Sequence, residues 1–481
     1  MARITGEYRS FLESELPRYA RALADTLEDT EPSVAVRVNP LKGGEECGVV
    51  SAGESVPWCG EGFYLPVRPE FIFDPAMHQG RYYVQDASSM FVGHVVTQLS
   101  AILMRERPAR PLRYLDACAA PGGKTSAAIG ALPVGSLVVA NEYDFRRAEI
   151  LKENVVKWGY PDVVVSRGDT SRFRSLPVFF DVVAADVPCS GEGMMRKDDT
   201  ACRQWSRGLV EECAMRQKEI VANLWRTLRP GGFMIYSTCT FNRRENEDVM
   251  EWLVGDLGAE KVAVDFASDW GVVDTGLMLR FLPSELRGEG LAIGVVRKPL
   301  EGFIEGDSAG EEPRSWKRVP LKNNLRRDGK EKSGGRGGGF DAASLRKICG
   351  DWINSHVDFE FVMNGDEAVA VHNCHSEELR ILQSALDVIY PGVAVGAVKG
   401  REIVPSHALA MSVLLNRKAF PCVEVDYEAA LAYLRRDAMQ GVEAPKGFVL
   451  LCYDGFPLGF VNHLGNRSNN LYPASWRILR R

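Results

Sequence analysis

Hydrophobic and polar positions between residues 110 and 298 follow two alternating periods. Short apolar runs, typical of buried strands, are RYLDACA, SLVVANE, VVVSRGD, FDVVAADVP and FMIYSTC. Segments with helical spacing lie between them, and they include KTSAAIGAL, RRAEILKENVVKWG and VEECAMRQKEIVANLWRTL. Strands separated by helices predict a parallel, doubly wound sheet. Because ligands of such sheets bind beyond the carboxyl ends of the strands, we expect the functional residues directly after each strand.

The regions on either side of this pattern have different periods. Residues 88–104 form an apolar stretch that His94 and Gln98 interrupt, so it predicts a buried helix and not a membrane span. After residue 340, short apolar runs are separated by turn signals, and Asp454-Gly455 within GFVLLCYDGFPLGFV predicts a hairpin turn. We therefore predict a small α+β unit followed by a mostly β module.

Composition narrows the class of protein. The chain has 481 residues, 45% hydrophobic and 25% charged, which is typical of a globular protein with roughly two to four domains. Its net charge of −6 excludes a global basic field, so any polyanion would be held by a local patch. The start has no apolar signal segment, and eleven cysteines without paired spacing indicate free thiols in a reducing compartment. We predict a cytoplasmic protein that binds no membrane and acts as a monomer.

One local patch is strongly basic. Residues 314–336 carry nine Lys or Arg against Asp328 and Glu331, a local charge of +7, and three glycines follow at 337–339. This composition predicts a basic, Gly-rich linker over residues 300–340. Two interpretations stay open, a solvated connection that contacts nothing and a segment that contacts a phosphate backbone.

A glycine-rich turn follows the first strand of the central pattern, with the sequence DACAAPGGKT (116–125). A phosphate-binding P-loop needs glycine where Cys118 stands, and Pro121 lacks the amide that would face a phosphate. The dinucleotide motif GxGxxG is absent as well. Gly122 and Gly123 still allow a ligand to approach the backbone closely at a helix N-terminus. The turn therefore favours a nucleoside that carries an amino-acid tail.

Acidic residues follow three successive strands, namely Glu142, Asp169 and Asp186. A carboxylate after the second strand can accept both ribose hydroxyls, and one after the third can accept an adenine amino group. Each carboxylate alone could simply be solvated. Three in register at one sheet edge indicate a nucleoside site.

Two cysteines also follow strands, Cys189 in DVPCSGEG and Cys239 in STCT. Free cysteine is commonly a small buried hydrophobe, but two thiols at neighbouring strand ends beside a cofactor loop indicate chemistry. Carbon 5 of a pyrimidine becomes nucleophilic toward a methyl sulfonium once a thiolate has added to carbon 6. The site must activate that thiol, whose ordinary pKa is about 8.5. A second thiol could then govern release of the product.

Three segments, ACAAPGGKT, DVPCSGEGMMRKD and YSTCTFNRRENED, resemble the signature motifs of the Nol–Nop–Sun family of RNA cytosine carbon-5 methyltransferases. The resemblance covers about residues 30–300, including RVNPLK, YYVQDASSM and the segment from RFLP to RGEGLAI. PSHALAM, PLGFV and NNLYPASWRI are similar to the tail of the bacterial small-subunit rRNA methyltransferase F type. The resemblance implies S-adenosylmethionine as cofactor and RNA as substrate, most simply 16S rRNA or the small ribosomal subunit.

The resemblance also implies roles for individual residues. Cys239 matches the nucleophile, Cys189 the residue that assists product release, and Asp186 lies near the target base. The S-adenosylmethionine contacts would be Cys118, Ala119, Ala120, Pro121, Gly122, Gly123, Lys124, Glu142, Asp169 and Asp186. Lys197 is a further site residue under this interpretation, with a plain surface lysine as the alternative. Ser284 departs from the family, which usually has a histidine there, so no role is assigned to it.

The implied fold class is α/β, a Rossmann-like methyltransferase domain between smaller α+β modules. The expected domains are an N-terminal RNA-binding α+β domain at 1–75, the catalytic domain at 76–299, the linker at 300–340, a ferredoxin-like α+β domain at 341–410 and a PUA-like RNA-binding domain at 411–481. The expected activity is methylation of cytosine carbon 5 in RNA. Alternatives are a tRNA methyltransferase, a non-catalytic rRNA-binding assembly factor, and a DNA cytosine methyltransferase with Cys189 as nucleophile.

Several other residues invite functional interpretations that the sequence disfavours. His372-Asn-Cys374-His375 has no second ligand pair at a suitable spacing, so no metal site is predicted. Trp58 and the aromatic segment YYV (82–84) could stack on bases, but core packing is the expected role. Cys202 and Cys213 lie on or near the long helix, where we expect a structural role.

Overall fold

The computed structural model describes residues 4–43, 47–108, 110–300, 340–400, 402–439 and 441–480. Most of the predicted linker at 300–340, with its basic cluster, lies outside the described residues. The described residues form four sheets, and the largest is the central sheet that the sequence pattern predicts.

The N-terminal module combines two helices with a small antiparallel sheet. Its elements are α1 (Gly6–Glu15), α2 (Ala20–Asp29), β1 (Val34–Val38), β2 (Glu54–Val56), β3 (Cys59–Leu65), α3 (Pro75–His78) and β4 (Tyr82–Val84). The strand order is β2-β3-β1-β4, so the sheet continues past residue 75 and includes the YYV segment. Tyr82 is buried and donates a hydrogen bond to Asp74, which makes it a core residue as predicted.

The central module begins with a long buried helix and then alternates strands with helices. Its elements are α4 (Ala87–Glu106), β5 (Arg113–Asp116), α5 (Gly123–Ala131), β6 (Leu137–Glu142), α6 (Phe145–Trp158), β7 (Val163–Arg167), β8 (Phe180–Asp186), α7 (Asp199–Gln204), α8 (Arg207–Trp225), β9 (Leu228–Thr238), α9 (Glu247–Asp256), β10 (Glu260–Lys261), β11 (Val273–Asp274), β12 (Leu279–Phe281) and β13 (Leu291–Arg297).

Strand order confirms the predicted Rossmann-like, doubly wound sheet. The path is β11-β12-β13-β9-β8-β5-β6-β7, and β5 to β9 pair in parallel. The order of the strands reverses at β5. Strands β6 and β7 follow on one side of it, and β8 and β9 follow on the other. Every residue of β6 is buried, as expected of a parallel strand whose two faces are both covered. The switch point beyond β5 therefore lies at the carboxyl edge, where the predicted loops meet.

Helix α4 confirms the buried helix predicted for residues 88–104. Its length and apolar character alone would also suit a membrane span, but 56% of its most apolar 18-residue segment is buried inside the protein. It packs against α5 and β3, and Trp58 of the N-terminal module donates a hydrogen bond to the Ala87 carbonyl at its start. Trp58 is therefore a core residue, as expected.

The N-terminal helices pack beside the loops that carry the two motif cysteines. Tyr8 and Phe11 of α1 contact Trp205, which follows α7, with ring centroids 4.8 Å and 5.0 Å away. Cys202 is buried in the same cluster, and its role is structural, as predicted. The first module is thus joined to the central one through an apolar contact.

The first module after the linker consists of α10 (Ala342–Cys349), β14 (Phe359–Asn364), β15 (Glu367–His372), α11 (Ser376–Ala385), β16 (Asp387–Tyr390), β17 (Val393–Lys399) and β18 (Glu402–Pro405). Its own sheet has the order β14-β15-β17-β18, all antiparallel. This module is α+β, but its strands form a sequential meander and not the split arrangement of a ferredoxin-like domain. Strand β16 leaves that sheet and pairs antiparallel with β7, so the module extends the central sheet.

The last elements are α12 (His407–Met411), β19 (Cys422–Glu424), α13 (Tyr427–Arg435), β20 (Gly447–Tyr453), β21 (Phe456–His463) and β22 (Ser468–Asn470). They form a sheet of order β19-β20-β21-β22 covered by α13. Asp454 and Gly455 have φ angles of 51° and 74° and connect β20 to β21, which confirms the predicted hairpin turn.

Candidate active site

The loop after β5 is held by backbone bonds to both neighbouring strands. The Ala117 amide donates to Ala184 at the end of β8, and the Ala119 amide donates to Asn141 at the end of β6. Asp116 is buried and accepts a 2.6 Å hydrogen bond from the Thr125 hydroxyl, which ties the start of the loop to α5. Burial raises the pKa of Asp116 to about 7. The loop is therefore fixed at the switch point of the sheet.

Two glycines let the loop turn into α5. Gly122 has a φ of +109°, which favours glycine, and it precedes the first residue of the helix. A Cβ at Gly123 would lie 3.2 Å from the Tyr83 ring and 3.4 Å from the Gln85 amide carbon. The backbone thus approaches the N-terminal module closely, and the free amides of the first turn of α5 are available to a ligand.

The two acidic residues after β6 and β7 have different environments. Glu142 is buried, and its carboxylate accepts hydrogen bonds from the amides of Asp144 (3.0 Å) and Ala120 (3.3 Å). Asp169 is exposed, and hydrogen bonds from Ser171 lower its pKa. Both residues lie at the predicted edge of the sheet. Glu142 holds the loop in place through these hydrogen bonds, and Asp169 presents a carboxylate that stays ionised at neutral pH.

Asp186, the third carboxylate, stands at the centre of a polar cluster. Its two oxygens accept hydrogen bonds of 2.8 Å from Lys124 and from the Ser237 hydroxyl. Burial alone would lower the pKa of Lys124. The interactions with Asp186 and Cys239 together raise it by more, so the net shift is upward. Lys124 therefore carries a positive charge at neutral pH.

The sulfurs of Cys189 and Cys239 lie 3.0 Å apart, and both cysteines are free. The loops after β8 and β9 bring them together, with a bond from the Val187 amide to the Ser237 carbonyl. The hydrogen bond to Cys239, burial and the charge of Cys239 raise the pKa of Cys189 well above its ordinary value. Cys189 thus keeps its proton at neutral pH.

By contrast, Cys118 is not activated. Burial and the nearby carboxylates of Asp116 and Asp186 raise the pKa of its thiol. A neutral thiol at this place in the loop can contact a ligand, but it does not act as a nucleophile.

Two buried carboxylates that the sequence analysis did not identify support the cysteine loops. Glu245 accepts hydrogen bonds from both the amide and the hydroxyl of Ser190 and from the Gln217 amide. Glu192 accepts from the Phe241 amide at 2.6 Å, and burial raises its pKa to about 7. The bonds from Ser190 and Phe241 cross between the Cys189 loop and the segment after Cys239. Their only sequence signal was their position inside the quoted motifs.

Gly193 allows the two cysteine loops to touch. Its amide donates a 2.8 Å hydrogen bond to the Cys239 carbonyl. A Cβ at this position would lie 2.5 Å from that carbonyl oxygen and 2.9 Å from the Glu289 carbonyl oxygen. Only glycine fits without displacing Cys239.

The remaining residues named from the sequence lie outside this cluster. Lys197 faces Glu289 at 3.9 Å, and the Ser284 hydroxyl donates to neighbouring Glu285. Cys213 is buried on α8, in keeping with the predicted structural role. His372 is 3.4 Å from Asp162, an acidic residue that local motif spacing could not connect with it.

The edge has the chemistry that S-adenosylmethionine requires. The loop offers backbone amides beside α5, Glu142 and Asp169 offer acceptors for hydroxyls, and Asp186 adds negative charge that suits a sulfonium. Gly122, with a φ of +109°, lets the loop turn so that the first amides of α5 point out of the helix end. The donor set therefore fits the cofactor.

Comparison with known proteins agrees with this chemistry. Three family descriptions match the chain, "16S rRNA methyltransferase RsmB/F" at residues 104–296, "N-terminal domain of 16S rRNA methyltransferase RsmF" at 4–87 and "Methyltransferase RsmF PUA domain" at 420–478. The last match identifies the C-terminal β module as PUA-like.

Curated relatives extend the match over most of the chain. The ribosomal RNA small subunit methyltransferase F of Shewanella loihica is 30% identical over 439 residues, covering 87% of this chain and 83% of that protein. The enzyme of the same name from Enterobacter sp. (strain 638) is 29% identical, with coverage of 87% and 83%. Among solved structures, NSun6 from Pyrococcus horikoshii with SFG has a TM-score of 0.52 at 18% identity and covers 62% of this chain and 99% of its own, which supports the fold. The chain therefore belongs to the RsmF family of methyltransferases, whose cofactor is S-adenosylmethionine.

Proposed function

We propose that this protein methylates carbon 5 of a cytosine in 16S rRNA, with Cys239 as the nucleophile and Cys189 as the residue that assists product release. The observation that carries the proposal is the pair of free thiols 3.0 Å apart beside Lys124 and Asp186. S-adenosylmethionine, when bound, supplies a methyl group on a positively charged sulfur and leaves as S-adenosylhomocysteine.

We assign the cofactor to the edge formed by residues 118–124, Glu142, Asp169 and Asp186. The loop amides and the α5 N-terminus suit its amino-acid carboxylate. Glu142 and Asp169 suit the ribose hydroxyls and the adenine, as in other sites at a switch point. Asp186 contacts Lys124 of the cofactor loop and Ser237 of the loop that carries Cys239, and its carboxylate would also hydrogen-bond the edge of the target base.

The first chemical step falls to Cys239. Its thiolate forms a bond to carbon 6 of cytosine, and the electron pair of the ring double bond moves to carbon 5, which then takes the methyl group. Lys124 is a cation close to Cys239, which stabilises a thiolate there before the attack. The S–H group of Cys189 can donate to the same sulfur.

The second step needs a base and a leaving sulfur. The proton on carbon 5 must be removed so that the double bond re-forms and expels the Cys239 sulfur. The charge on Cys239 is one cause of the raised pKa of Cys189, and it disappears once Cys239 is a thioether. Cys189 therefore ionises more easily at the stage where a base is required.

Access to carbon 5 and carbon 6 requires an unstacked base. The PUA module and the N-terminal module would supply affinity through backbone and shape contacts. The match to 16S rRNA methyltransferases supports rRNA as the substrate. We propose further that the domains follow the predicted boundaries, with β4 added to the first module, and that the protein acts as a monomer in the cytoplasm.

The test is a trapping assay with labelled S-adenosylmethionine and 16S rRNA. Cys189→Ala should accumulate a covalent protein–RNA adduct, because the product cannot be released. Cys239→Ala should give neither adduct nor methylated RNA. Cys422→Ala removes an exposed thiol outside the site and should behave as the wild type.

Three other outcomes of this assay would contradict the proposal. If Cys239→Ser retains methyl transfer while Cys189→Ser abolishes the adduct, the two thiols have the opposite roles. Label on tRNA and none on rRNA would mean that tRNA is the substrate. No methyl transfer to either RNA would overturn the enzymatic proposal in favour of a binding protein for ribosome assembly.

A further inference from the structure

A second cluster of metal-ligand side chains lies far along the chain from the methyltransferase motifs. His372, Cys374 and His375, between β15 and α11, each offer one donor atom, and these atoms lie within 4.8 Å of one another. Two imidazoles and a thiol are donors that Zn²⁺ prefers. Three donors alone leave the coordination incomplete.

The catalytic domain places a candidate fourth donor next to His372. Asp162, directly before β7, places a carboxylate oxygen 3.4 Å from Nδ1 of His372. Bonds of about 2.0–2.2 Å to nitrogen and oxygen put neighbouring ligands of a tetrahedral zinc about 3.3 Å apart. The spacing between Asp162 and His372 therefore already suits two ligands of one ion.

The hydrogen bonding of His375 prepares it for a metal. Its Nε2 lies 2.8 Å from the carbonyl oxygen of Gly135. A carbonyl can only accept, so Nε2 carries the hydrogen and Nδ1 is left with a free lone pair. Metal-bound histidines typically donate their second ring nitrogen to a carbonyl or a carboxylate in this way.

Several of the candidate donor groups are buried. The Asp162 side chain is only 6% exposed, and Nδ1 of His372 is buried without a hydrogen-bond partner. The small cavity between them is otherwise lined mainly by apolar side chains, among them Leu137, Val163, Val371 and Leu379. A buried carboxylate is costly unless a cation neutralises it, and a metal ion bound by both Asp162 and His372 would do so.

We propose that His372, Cys374, His375 and Asp162 form a structural Zn²⁺ site. Four protein ligands leave no open position, so the ion would stabilise the fold and take no part in catalysis. Asp162 and Gly135 precede β7 and β6, at the edge of the sheet opposite the cysteine pair. The metal would fasten the module after the linker to the catalytic sheet, next to the point where β16 pairs with β7.

The test uses the full-length protein, stripped with a chelator and titrated with Zn²⁺ or Co²⁺. One equivalent of Zn²⁺ should bind and raise the Tm, and Co²⁺ should give tetrahedral ligand-field bands with thiolate-to-metal charge transfer. Cys374→Ser should abolish the charge-transfer band, and because Cys374 is exposed the metal-free Tm should not change. Asp162→Asn should keep the band but weaken metal affinity at least about 10-fold.

Two controls separate this site from other thiols. Cys422→Ser removes an exposed thiol outside the cluster, and Cys189→Ala with Cys239→Ala removes the close pair at the candidate active site. Both proteins should retain one equivalent of Zn²⁺. Substoichiometric zinc in the wild type, or a charge-transfer band that survives in Cys374→Ser, would overturn the proposal.

Discussion

At the scale of single residues, the smallest side chain in the candidate active site has the most demanding position. Gly193 lies where the two cysteine loops touch, and an added methyl group would lie 2.5 Å from the Cys239 carbonyl oxygen. We expect Gly193→Ala to lower methyl transfer about 100-fold, because a displacement near 1 Å at a reacting group has an effect of that order. Affinity for S-adenosylmethionine, measured by calorimetry, should be unchanged.

Gly208→Ala is the matched control. A Cβ at Gly208, in the first turn of α8, would lie at an ordinary 3.8 Å from the Ser206 hydroxyl. This variant should keep full activity and gain up to about 1 kcal/mol of stability. Equal activity in the two variants would show that the loop contact at Gly193 does not position Cys239.

Asp116 gives the stability of the protein a defined pH dependence. Its folded pKa is raised by burial to about 7, whereas an unfolded aspartate has a pKa of about 3.9. Between these values the folded state holds a proton that the unfolded state has lost, so stability falls as pH rises. Asp116→Asn should make this fall shallower by up to about 1.4 kcal/mol per pH unit, measured by urea unfolding between about pH 5 and pH 7.

Asp169 provides a control of opposite sign. Hydrogen bonds from Ser171 lower its pKa, so it contributes stability above its unfolded pKa that is lost as pH falls. Asp169→Asn should therefore leave the slope between about pH 5 and pH 7 unchanged. An unchanged slope in Asp116→Asn as well would mean that Asp116 is ionised in the folded protein.

The residues that could be predicted from the sequence share a local signal. The cofactor loop and both cysteines stand directly after apolar strands, so their meeting at one edge follows from a parallel sheet. Asp162 is different, because its proximity to His372 depends on a contact between segments about 200 residues apart. No periodicity in either segment carries that information.

At the scale of elements, local periodicity predicted the strands of the catalytic sheet and the Asp454-Gly455 hairpin. It did not predict that β16 would leave its own module to pair with β7, or that β14, β15, β17 and β18 would follow in sequential order. Strand pairing depends on which edge remains free once the domain has packed. Such an edge is a property of the assembled sheet and not of the strand's own residues.

The hairpin of β20 and β21 docks on the N-terminal module through Gln79. The buried Gln79 amide donates hydrogen bonds to the Tyr453 and Phe456 carbonyls, at 2.8 Å and 2.9 Å. Gln79→Leu would leave both acceptors without that donor, so we expect a loss of about 1–3 kcal/mol in the free energy of unfolding, measured by urea denaturation.

Arg417 offers a comparison on the same hairpin. It donates to the Gly455 carbonyl at 3.0 Å, but it is exposed, so water can replace it. Arg417→Gln should change stability by no more than about 0.5 kcal/mol. If Gln79→Leu were equally mild, the hairpin would not depend on this contact for its docking.

At the scale of the whole molecule, the modules that flank the catalytic domain are joined to it and to each other by separate contacts. Helix α1 packs beside the cysteine loops, β16 extends the sheet next to β7, and the β20–β21 hairpin contacts the segment after α3. The net charge of −6 means that none of this surface can attract RNA by a global field. Affinity must come from local cationic groups.

The basic cluster at 314–336 is the strongest local group in the sequence, with a charge of +7 in a chain whose other residues sum to −13. If its cations contact phosphates, each contact adds about 0.7–0.9 to the slope of log affinity against log salt. Neutralising Lys317, Arg318, Arg326 and Arg327 to Gln should therefore weaken rRNA binding and flatten that slope by up to about 3, measured by filter binding across a salt series. Neutralising Asp328 and Glu331 in the same segment is the matched control and should leave the slope equal or steeper. An unchanged slope in the four-residue variant would assign the segment to a connection without RNA contact, and the search for phosphate ligands would move to the modules on either side.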